Sequence, residues 1–472
     1  MSTTDPATEP AATPAAPVSS ETWTTERGPD ATGGRDRTPP STPHRFRAVA
    51  PAVGRWWAVF GVAFLVRIAY WVIVLPHYVP VADGDQYRRL GRTVAAGQGW
   101  QLIYPQLHLH PTAFRPPLYP LLLAPGIRIF GNVLWPARLL SVVLGSIVVV
   151  LVGVLAARIG GRTAGVVAAL TVALYPPLLA NDTIVMTEAL ALALLLAAIL
   201  LVDERRWWQA GIAIGLLVLT RPNVYLVIAV LAFWLWRSLG WRRALGFVGC
   251  GFLVVFPWLL RNRIQVDTWR PTTSDGLTIA GIYAPPAREA NTFVDPFYSR
   301  AYDDLGHRLS QFHEAGWSNR LTHEAVADVR RHPRYVATVF RRNVRGYFEF
   351  DTKLNRFPEV SDGRSWRFRQ DTLFTFFVVT PLGLVGLVRR RRDPRVIALA
   401  AITGQFVLIS LFLVAPPRLR APFDLAMAIG VGLLAADLWD RRLARTTGAA
   451  PPSPSPSAAT STSTSTSTST ST

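Results

Sequence analysis

The chain has 472 residues, of which 50% are hydrophobic and only 17% are charged, against about 25% charged residues in soluble globular proteins. This composition favours a membrane protein, and the net charge of +19 favours contact with anionic membrane lipids rather than nucleic acid, because many basic residues flank apolar stretches. The single cysteine, Cys250, excludes an intramolecular disulfide and a cysteine-based metal site.

The two ends of the chain have the composition of disordered tails. Residues 1–44 are rich in Thr, Pro, Ala and Gly without apolar periodicity, and residues 449–472 end in a Ser-Thr repeat. The first apolar stretch begins near residue 55 and is too long for the apolar segment of a cleavable signal peptide. We therefore expect a cytoplasmic N-terminal tail, an uncleaved first span and a disordered C-terminal tail.

A succession of apolar stretches predicts an all-α polytopic membrane protein. Because a helix rises about 1.5 Å per residue, roughly 20 apolar residues cross a hydrocarbon core about 30 Å thick. We predict about ten transmembrane helices. Their ranges are 55–75, 135–157, 163–180, 183–202, 207–220, 222–236, 243–260, 372–388, 396–414 and 421–438.

Arginines in the short connections predict the orientation, because basic residues close to a span stay on the cytoplasmic side. They occupy alternate connections, which places both termini in the cytoplasm. The basic residues that set this orientation are Arg45, Arg47, Arg55, Arg158, Arg162, Arg205, Arg206, Arg237, Arg242, Arg243, the run "RRRRDPR", Arg441, Arg442 and Arg445. The two long connections, 76–134 and 261–371, are then the first and second outer loops.

Both outer loops are predicted to contain helices. In the first, Tyr87, Leu90 and Val94 recur at helical spacing, which indicates a helix at the membrane interface. The following stretch "RPPLYPLLLAPGIRIFG" is too short for a crossing and predicts a second interfacial or re-entrant helix. In the second loop, one helical pattern stops before Pro333 and the next begins there, so we expect a small outer-face loop domain.

Two carboxylates, Asp83 and Asp85, follow the first span at the outer membrane boundary. There a carboxylate could act as a general base that accepts a proton from an attacking hydroxyl group. Alternatively, one of them caps the helix predicted near Tyr87, where it would accept free backbone N–H groups. The capping alternative does not explain why there are two.

A third acidic residue, Glu188, is predicted about two turns inside the fourth span, in "NDTIVMTEAL". Ionisable groups at that depth are rare and usually functional, although pairing with an arginine such as Arg67 is an equal alternative. Asp182 is closer to the surface and could be a helix cap.

Five arginines stand at the outer ends of spans, against the cytoplasmic bias of the others. They are Arg115 in "FRPPLYP", Arg221 in "LTRPN", Arg261 in "PWLLRN", and Arg418 and Arg420 in "PPRLRAPF". Each one alone could extend its charge toward lipid headgroups. Five near one face favour an anionic ligand, such as the phosphate of a polyprenyl-phosphate sugar.

The order of these motifs resembles a known superfamily. Asp83 stands four residues before Tyr87, and "RPPLYPLLLA", "TEALALALLL", "LTRPN", "PWLLRNRIQVDTWRPTTSDG" and "PRLRAPF" follow in that order. Over most of residues 55–440 the chain resembles the GT-C glycosyltransferases, and within them the protein O-mannosyltransferase and lipid A aminoarabinose transferase superfamily. The resemblance implies one GT-C-like transmembrane domain over 45–440, with its catalytic loop at 76–134.

The resemblance also implies roles for individual residues. Members of the superfamily use a lipid-linked sugar phosphate on the extracytoplasmic side, and the matching catalytic aspartate is Asp83, with Asp85 as its neighbour. Glu188 matches a second acidic site, and Arg115 matches a basic residue that contacts the donor phosphate. Phe114 stands where the aminoarabinose transferase has an acidic, metal-associated residue. We therefore predict no metal site and no certain cofactor, and Mg or Mn stays an open alternative.

These observations give one hypothesis: a glycosyltransferase of the bacterial plasma membrane that transfers a sugar from a polyprenyl-phosphate donor to a hydroxyl group of a glycan, lipid or protein. The candidate catalytic residues are Asp83, Asp85 and Glu188, the candidate phosphate ligands are Arg115, Arg221, Arg418 and Arg420, and further candidates are Tyr87, Asp182 and Arg261. A lipid or glycan transporter or flippase without transferase activity is the alternative. Transporters often contain two similar halves, which are not evident in this sequence.

Overall fold

The computed structural model describes residues 53–102, 110–296, 299–302 and 313–447. The predicted tails, 1–44 and 449–472, lie outside these residues, so their disorder stays a prediction. The described residues are mainly helical, which confirms the predicted all-α class.

The first half of the described chain contains nine helices and one pair of very short strands. These elements are α1 (Val53–Ile73), α2 (Ala82–Ala95), β1 (Gln101–Leu102), β2 (His110–Pro111), α3 (Leu118–Phe130), α4 (Trp135–Leu174), α5 (Pro176–Asn181), α6 (Glu188–Asp203), α7 (Trp207–Val218), α8 (Tyr225–Leu239) and α9 (Trp241–Val266). The strands pair antiparallel, with Gln101 opposite Pro111.

The second half continues with shorter helices and then three long ones. They are α10 (Ser274–Tyr283), α11 (Pro285–Ala290), α12 (Glu314–Arg331), α13 (Arg334–Tyr347), α14 (Arg356–Ser361), α15 (Trp366–Thr372), α16 (Phe374–Arg389), α17 (Pro394–Phe412) and α18 (Ala421–Thr447), with 3₁₀ turns at Arg300–Tyr302, Thr352–Asn355 and Pro417–Arg420. Helix α12 ends before Pro333 and α13 begins directly after it, as the sequence predicts.

Every predicted span contains a helix, but the number of ten spans is not confirmed. Within the described ranges, five helices (α1, α4, α9, α17 and α18) are long and apolar enough to cross a membrane, or six if α15 and α16, bent by 52°, form one span. Element α4 covers the predicted span 135–157 and most of 163–180 but is not one continuous helix: Gly161 has non-helical angles (φ +81°, ψ −177°), and Gly165 packs against the carbonyl oxygen of Gly153, so the chain turns back between two helical segments. Helices α3, α7 and α8 are apolar but shorter.

The main core is a cluster of buried Ala, Val, Leu and Ile side chains from α4, α6, α7, α8, α17 and α18. Helix α18 packs against both α4 and α16. The contact between α16 and α18 depends on small residues, because Gly383 and Gly386 lie directly against the backbone of Met427 and Gly430. No larger residue fits there, as is typical where membrane helices approach closely.

A buried ion pair joins α1 to the end of α5. Arg67 Nη2 lies 2.6 Å from Asp182 Oδ2, and both side chains are at most 3% exposed. Arg67 also donates a hydrogen bond to the carbonyl oxygen of Ala63, at 3.2 Å. The side chain of Asp182 is therefore the partner of Arg67, and its backbone forms the C-cap of α5. The alternative that pairs Arg67 with Glu188 is wrong.

We expect Asp182→Ala to lower the free energy of unfolding by about 3–5 kcal/mol, because it leaves the charge of Arg67 buried without a partner. The double variant Arg67→Met, Asp182→Leu should lose less than the single variant, since no unpaired charge remains. Thermal unfolding in detergent measures both. The matched control is Asp85→Ala, whose exposed pair with Arg89 should contribute less than about 1 kcal/mol. A single variant as stable as the native protein would contradict the prediction.

Candidate active site

Three carboxylates and three arginines meet where the helices of the described chain begin or end. We call this group the central charge cluster. Its members are Asp83, Glu188, Asp362, Arg115, Arg221 and Arg418. The carboxylates come from three places: Asp83 from α2, Glu188 from the start of α6 and Asp362 from the residue after α14. The arginines come from three connections: Arg115 from the loop before α3, Arg221 from the α7–α8 connection and Arg418 from the 3₁₀ turn before α18.

Arg418 links the three carboxylates. Its Nη2 lies 2.6 Å from Asp83 Oδ2 and its Nη1 lies 3.1 Å from Asp362 Oδ1. Its Nε is 3.7 Å from Glu188 Oε1, which is close enough for electrostatic attraction but too far for a hydrogen bond. The side chain is 14% exposed, so solvent screens these contacts only partly.

Asp83 accepts hydrogen bonds from two arginines. One carboxylate oxygen accepts from Arg115 and the other from Arg418. Burial alone would raise the pKa of this carboxyl group, but the two guanidinium groups outweigh burial and hold the pKa well below its usual range. Arg115 also lies over the ring of Tyr87, 5.3 Å from the centroid, so Tyr87 supports the arginine from one side.

Glu188 is paired with Arg221, whose Nη2 lies 2.6 Å from Oε1. The Nε of Arg221 donates to Thr187 Oγ1 at 3.1 Å, which fixes the guanidinium group. The structure corrects the predicted depth of Glu188. It is the first residue of α6 rather than two turns inside a span, because residues before it are not helical. A negative charge is favoured at the start of a helix.

Tyr78 holds three parts of the chain together around the cluster. Its hydroxyl oxygen accepts a hydrogen bond from the Val185 N–H at 3.1 Å. A Cβ atom on Gly84 would lie 2.9 Å from the carbonyl oxygen of Val185, so the first turn of α2 approaches that segment only with glycine. Gly363, with φ of +75°, packs against the Tyr78 ring from the other side.

The segment before Arg115 is fixed by a buried carboxylate and by Arg261. Glu314 accepts hydrogen bonds from Thr112 Oγ1 at 2.6 Å and from the Ala113 N–H at 2.9 Å. Arg261 donates to the carbonyl oxygen of Thr112 at 2.5 Å. Arg261 therefore positions the segment and does not itself join the cluster.

Asp85 is not brought to the cluster. Its carboxylate pairs with Arg89, 2.6 Å away, on the exposed side of α2. Residues two apart in a helix point about 200° apart, so only one of Asp83 and Asp85 can face the other charges. The capping alternative is also wrong. Helix α2 begins at Ala82, so its N-cap residue is Val81, and no side chain makes a capping hydrogen bond there.

Arg420 also lies apart, in a second buried group of charges. It donates to Glu349 Oε1 at 2.5 Å and pairs with Asp424 at 3.2 Å. Glu349 in turn accepts from Arg369. A small cleft lined by residues of α5, α15 and α16 lies beside this second group.

The residues around Asp83 do not fit a metal ion. Both carboxylate oxygens of Asp83 accept hydrogen bonds from arginines, and Phe114 supplies no ligand. Within the part of the chain that the structure describes, no group of three or more His, Cys, Asp or Glu residues has the arrangement of a metal site.

Residues 114–260 match the family model described as dolichyl-phosphate-mannose-protein mannosyltransferase. The predicted resemblance is confirmed. The matched segment contains Arg115, Glu188 and Arg221 of the central charge cluster, whereas Asp83 and Arg418 lie outside it. The matched segment covers less than a third of the chain. No curated protein matches the chain by sequence.

Two solved structures are similar to this chain in fold. ArnT from Cupriavidus metallidurans, bound to undecaprenyl phosphate, is 16% identical with a TM-score of 0.36, over 85% of this chain and 80% of ArnT. The oligosaccharyltransferase of Archaeoglobus fulgidus, in complex with Zn and sulfate, is 16% identical with a TM-score of 0.47, over 83% of this chain. This chain spans only 50% of the archaeal protein.

The hydrogen bonds to Glu314 give a prediction for the segment before Arg115. We expect Glu314→Ala to lower the free energy of unfolding by about 1–3 kcal/mol, because it leaves buried donors without an acceptor. Backbone amides of residues 112–115 should also exchange faster with deuterated solvent. The control on the same helix is Glu324→Ala, which removes only an exposed pair with Arg320 and should change neither quantity. Unchanged exchange in Glu314→Ala would refute this role.

Proposed function

We propose that the protein is an integral membrane glycosyltransferase that moves a sugar from a polyprenyl-phosphate-linked donor to an acceptor hydroxyl group on the extracytoplasmic face. The acceptor is a glycan, lipid or protein of the cell envelope. The observation that carries the proposal is the pairing of Asp83 with Arg115 and Arg418. The family match and the alternating arginines of the short connections support the reaction class and the orientation.

Three arginines of the central charge cluster would hold the donor phosphate: Arg115, Arg221 and Arg418. When the glycosidic bond breaks, the leaving phosphate gains negative charge. An arginine about 4 Å away stabilises that charge by about 4 kcal/mol at an effective dielectric constant near 20. Two such arginines would outweigh the contribution of a general base, about 10²–10⁴-fold in rate.

The same arginines control Asp83. While they hold its carboxylate, the pKa is too low for Asp83 to accept a proton readily. A donor phosphate would compete for Arg115 and Arg418 and release the carboxylate, which raises its pKa toward the ordinary range. Donor binding would therefore activate the base, and the donor should bind before the acceptor reacts.

The transfer itself is a single displacement. The acceptor oxygen attacks the anomeric carbon, its proton passes to Asp83, and the bond between that carbon and the phosphate oxygen breaks with its electron pair on the phosphate. The three arginines hold the leaving group. One base and one displacement imply inversion at the anomeric centre.

We expect Asp83→Asn to lower the transfer rate about 10²–10⁴-fold, because the amide cannot accept the hydroxyl proton. Binding of the donor should persist, since the arginines stay in place. Purified protein in detergent, incubated with a panel of polyprenyl-phosphate sugars and an acceptor preparation, gives the rate as release of free lipid phosphate.

The matched control is Asp85→Asn, which removes the neighbouring carboxylate on the exposed side of α2 and should keep the native rate. Full activity of Asp83→Asn would refute the role of Asp83. If the native protein moves intact donor across a vesicle membrane without releasing lipid phosphate, the protein is a transporter instead.

A further inference from the structure

Asp362 contacts the arginine that would hold the donor phosphate, yet the proposed reaction gives it no role. Its Oδ1 lies 3.1 Å from Nη1 of Arg418, while Asp83 accepts from Nη2 of the same guanidinium group. Its Oδ2 is buried and has no hydrogen-bond partner among the described residues. Asp362 and a bound phosphate would therefore use the same donor atoms of Arg418.

The fold gives Asp362 little freedom to move away. It follows α14 directly, and the next residue, Gly363, packs against the ring of Tyr78, where a Cβ atom would lie 2.6 Å from the ring. The charged or titratable side chains that face Asp362 from the packed elements are Arg418, Arg364, Tyr78, Asp83 and Glu188. Arg364 is itself paired with Glu359, at 3.0 Å.

When all six side chains of the central charge cluster are ionised, their net charge is zero and does not favour binding of an anion. Asp83, Glu188 and Asp362 then cancel the three arginines, so a phosphodiester with one negative charge would leave the buried site with a net charge of about −1. If Asp362 carries a proton, the cluster has one positive charge, and the phosphodiester makes it neutral.

The protonation of Asp362 changes close to neutral pH. Burial, helped by the charges of Asp83 and Glu188, outweighs the attraction of Arg418 and Arg364 and raises the pKa of Asp362 to about 7. Below that pH the proton is already present. Above it the proton must be taken up from solvent when an anion binds.

Building on the proposed function, we propose that Asp362 is a positioning residue that competes with the donor phosphate for Arg418, so that the donor binds the form of the protein in which Asp362 holds a proton. Binding of a singly charged phosphodiester at alkaline pH transfers one proton from solvent to Asp362. In its protonated form Asp362 no longer competes with the phosphate for the charge of Arg418.

The test uses a polyprenyl methyl phosphate, a phosphodiester that keeps one negative charge from pH 6 to pH 8. Its apparent affinity for the purified protein should fall about tenfold over this range, because the binding-competent fraction falls by about that factor. Calorimetry in buffers of different ionisation enthalpy should detect uptake of close to one proton at pH 8. Asp362→Asn should bind with an affinity that does not change with pH.

The matched control is Asp351→Asn, before the 3₁₀ turn that leads to α14, where Asp351 pairs with Arg345 at 2.9 Å and makes no ion pair with Arg418. It should keep the native pH profile. A native affinity independent of pH, or the native profile in Asp362→Asn, would overturn the inference and leave the proposed function standing. No binding to the native protein at any pH would overturn both. If Asp362→Asn does not fold, proton uptake by the native protein at pH 8 decides the matter: its absence refutes the inference.

Discussion

The guanidinium group of Arg418 is the constraint on which the rest of the site depends. It attracts carboxylates from three distant parts of the chain. Asp83 is also held by Arg115 and Glu188 by Arg221, whereas the second carboxylate oxygen of Asp362 has no hydrogen-bond partner among the described residues. Both Nη atoms of Arg418 are thus already in contact with a carboxylate before any ligand arrives, whereas its Nε has no hydrogen-bond partner among the described residues. On the proposed function, a donor phosphate that binds these Nη atoms displaces a carboxylate from them, which would link donor binding to proton transfer.

Part of the site could be predicted from the sequence, because polar residues at the ends of apolar stretches must meet at one membrane boundary. Asp83, Arg115 and Arg418 were found in this way. Arg420 was grouped with Arg418 only by proximity in the sequence. In a 3₁₀ turn each residue advances about 120°, so residues two apart face different neighbours, and Arg420 joins the second buried group of charges.

Asp362 was not predicted, although "SDGR" is a turn signal close to the predicted span at 372–388. Its role depends on a turn whose position is set by the Tyr78 ring, from a segment that lies far away in the sequence, and no periodicity encodes that contact. The number of ten spans is not confirmed, because hydropathy locates apolar helices but does not show which of the shorter ones cross a membrane.

The glycine contacts between α16 and α18 have a mechanical consequence for the site. At these glycines the two backbones are in direct contact, so the helices cannot come closer or slide past each other there without a clash. Asp362 precedes α15 and α16, and Arg418 lies in the 3₁₀ turn before α18, so both are attached to this helix pair, whereas Asp83 belongs to α2. A displacement of α2 relative to this pair would separate Arg418 from Asp83 and leave Asp362 beside it. Of the carboxylates that contact Arg418, Asp83 would therefore be the one that separates from it, whereas Asp362 would stay close and compete with a bound phosphate.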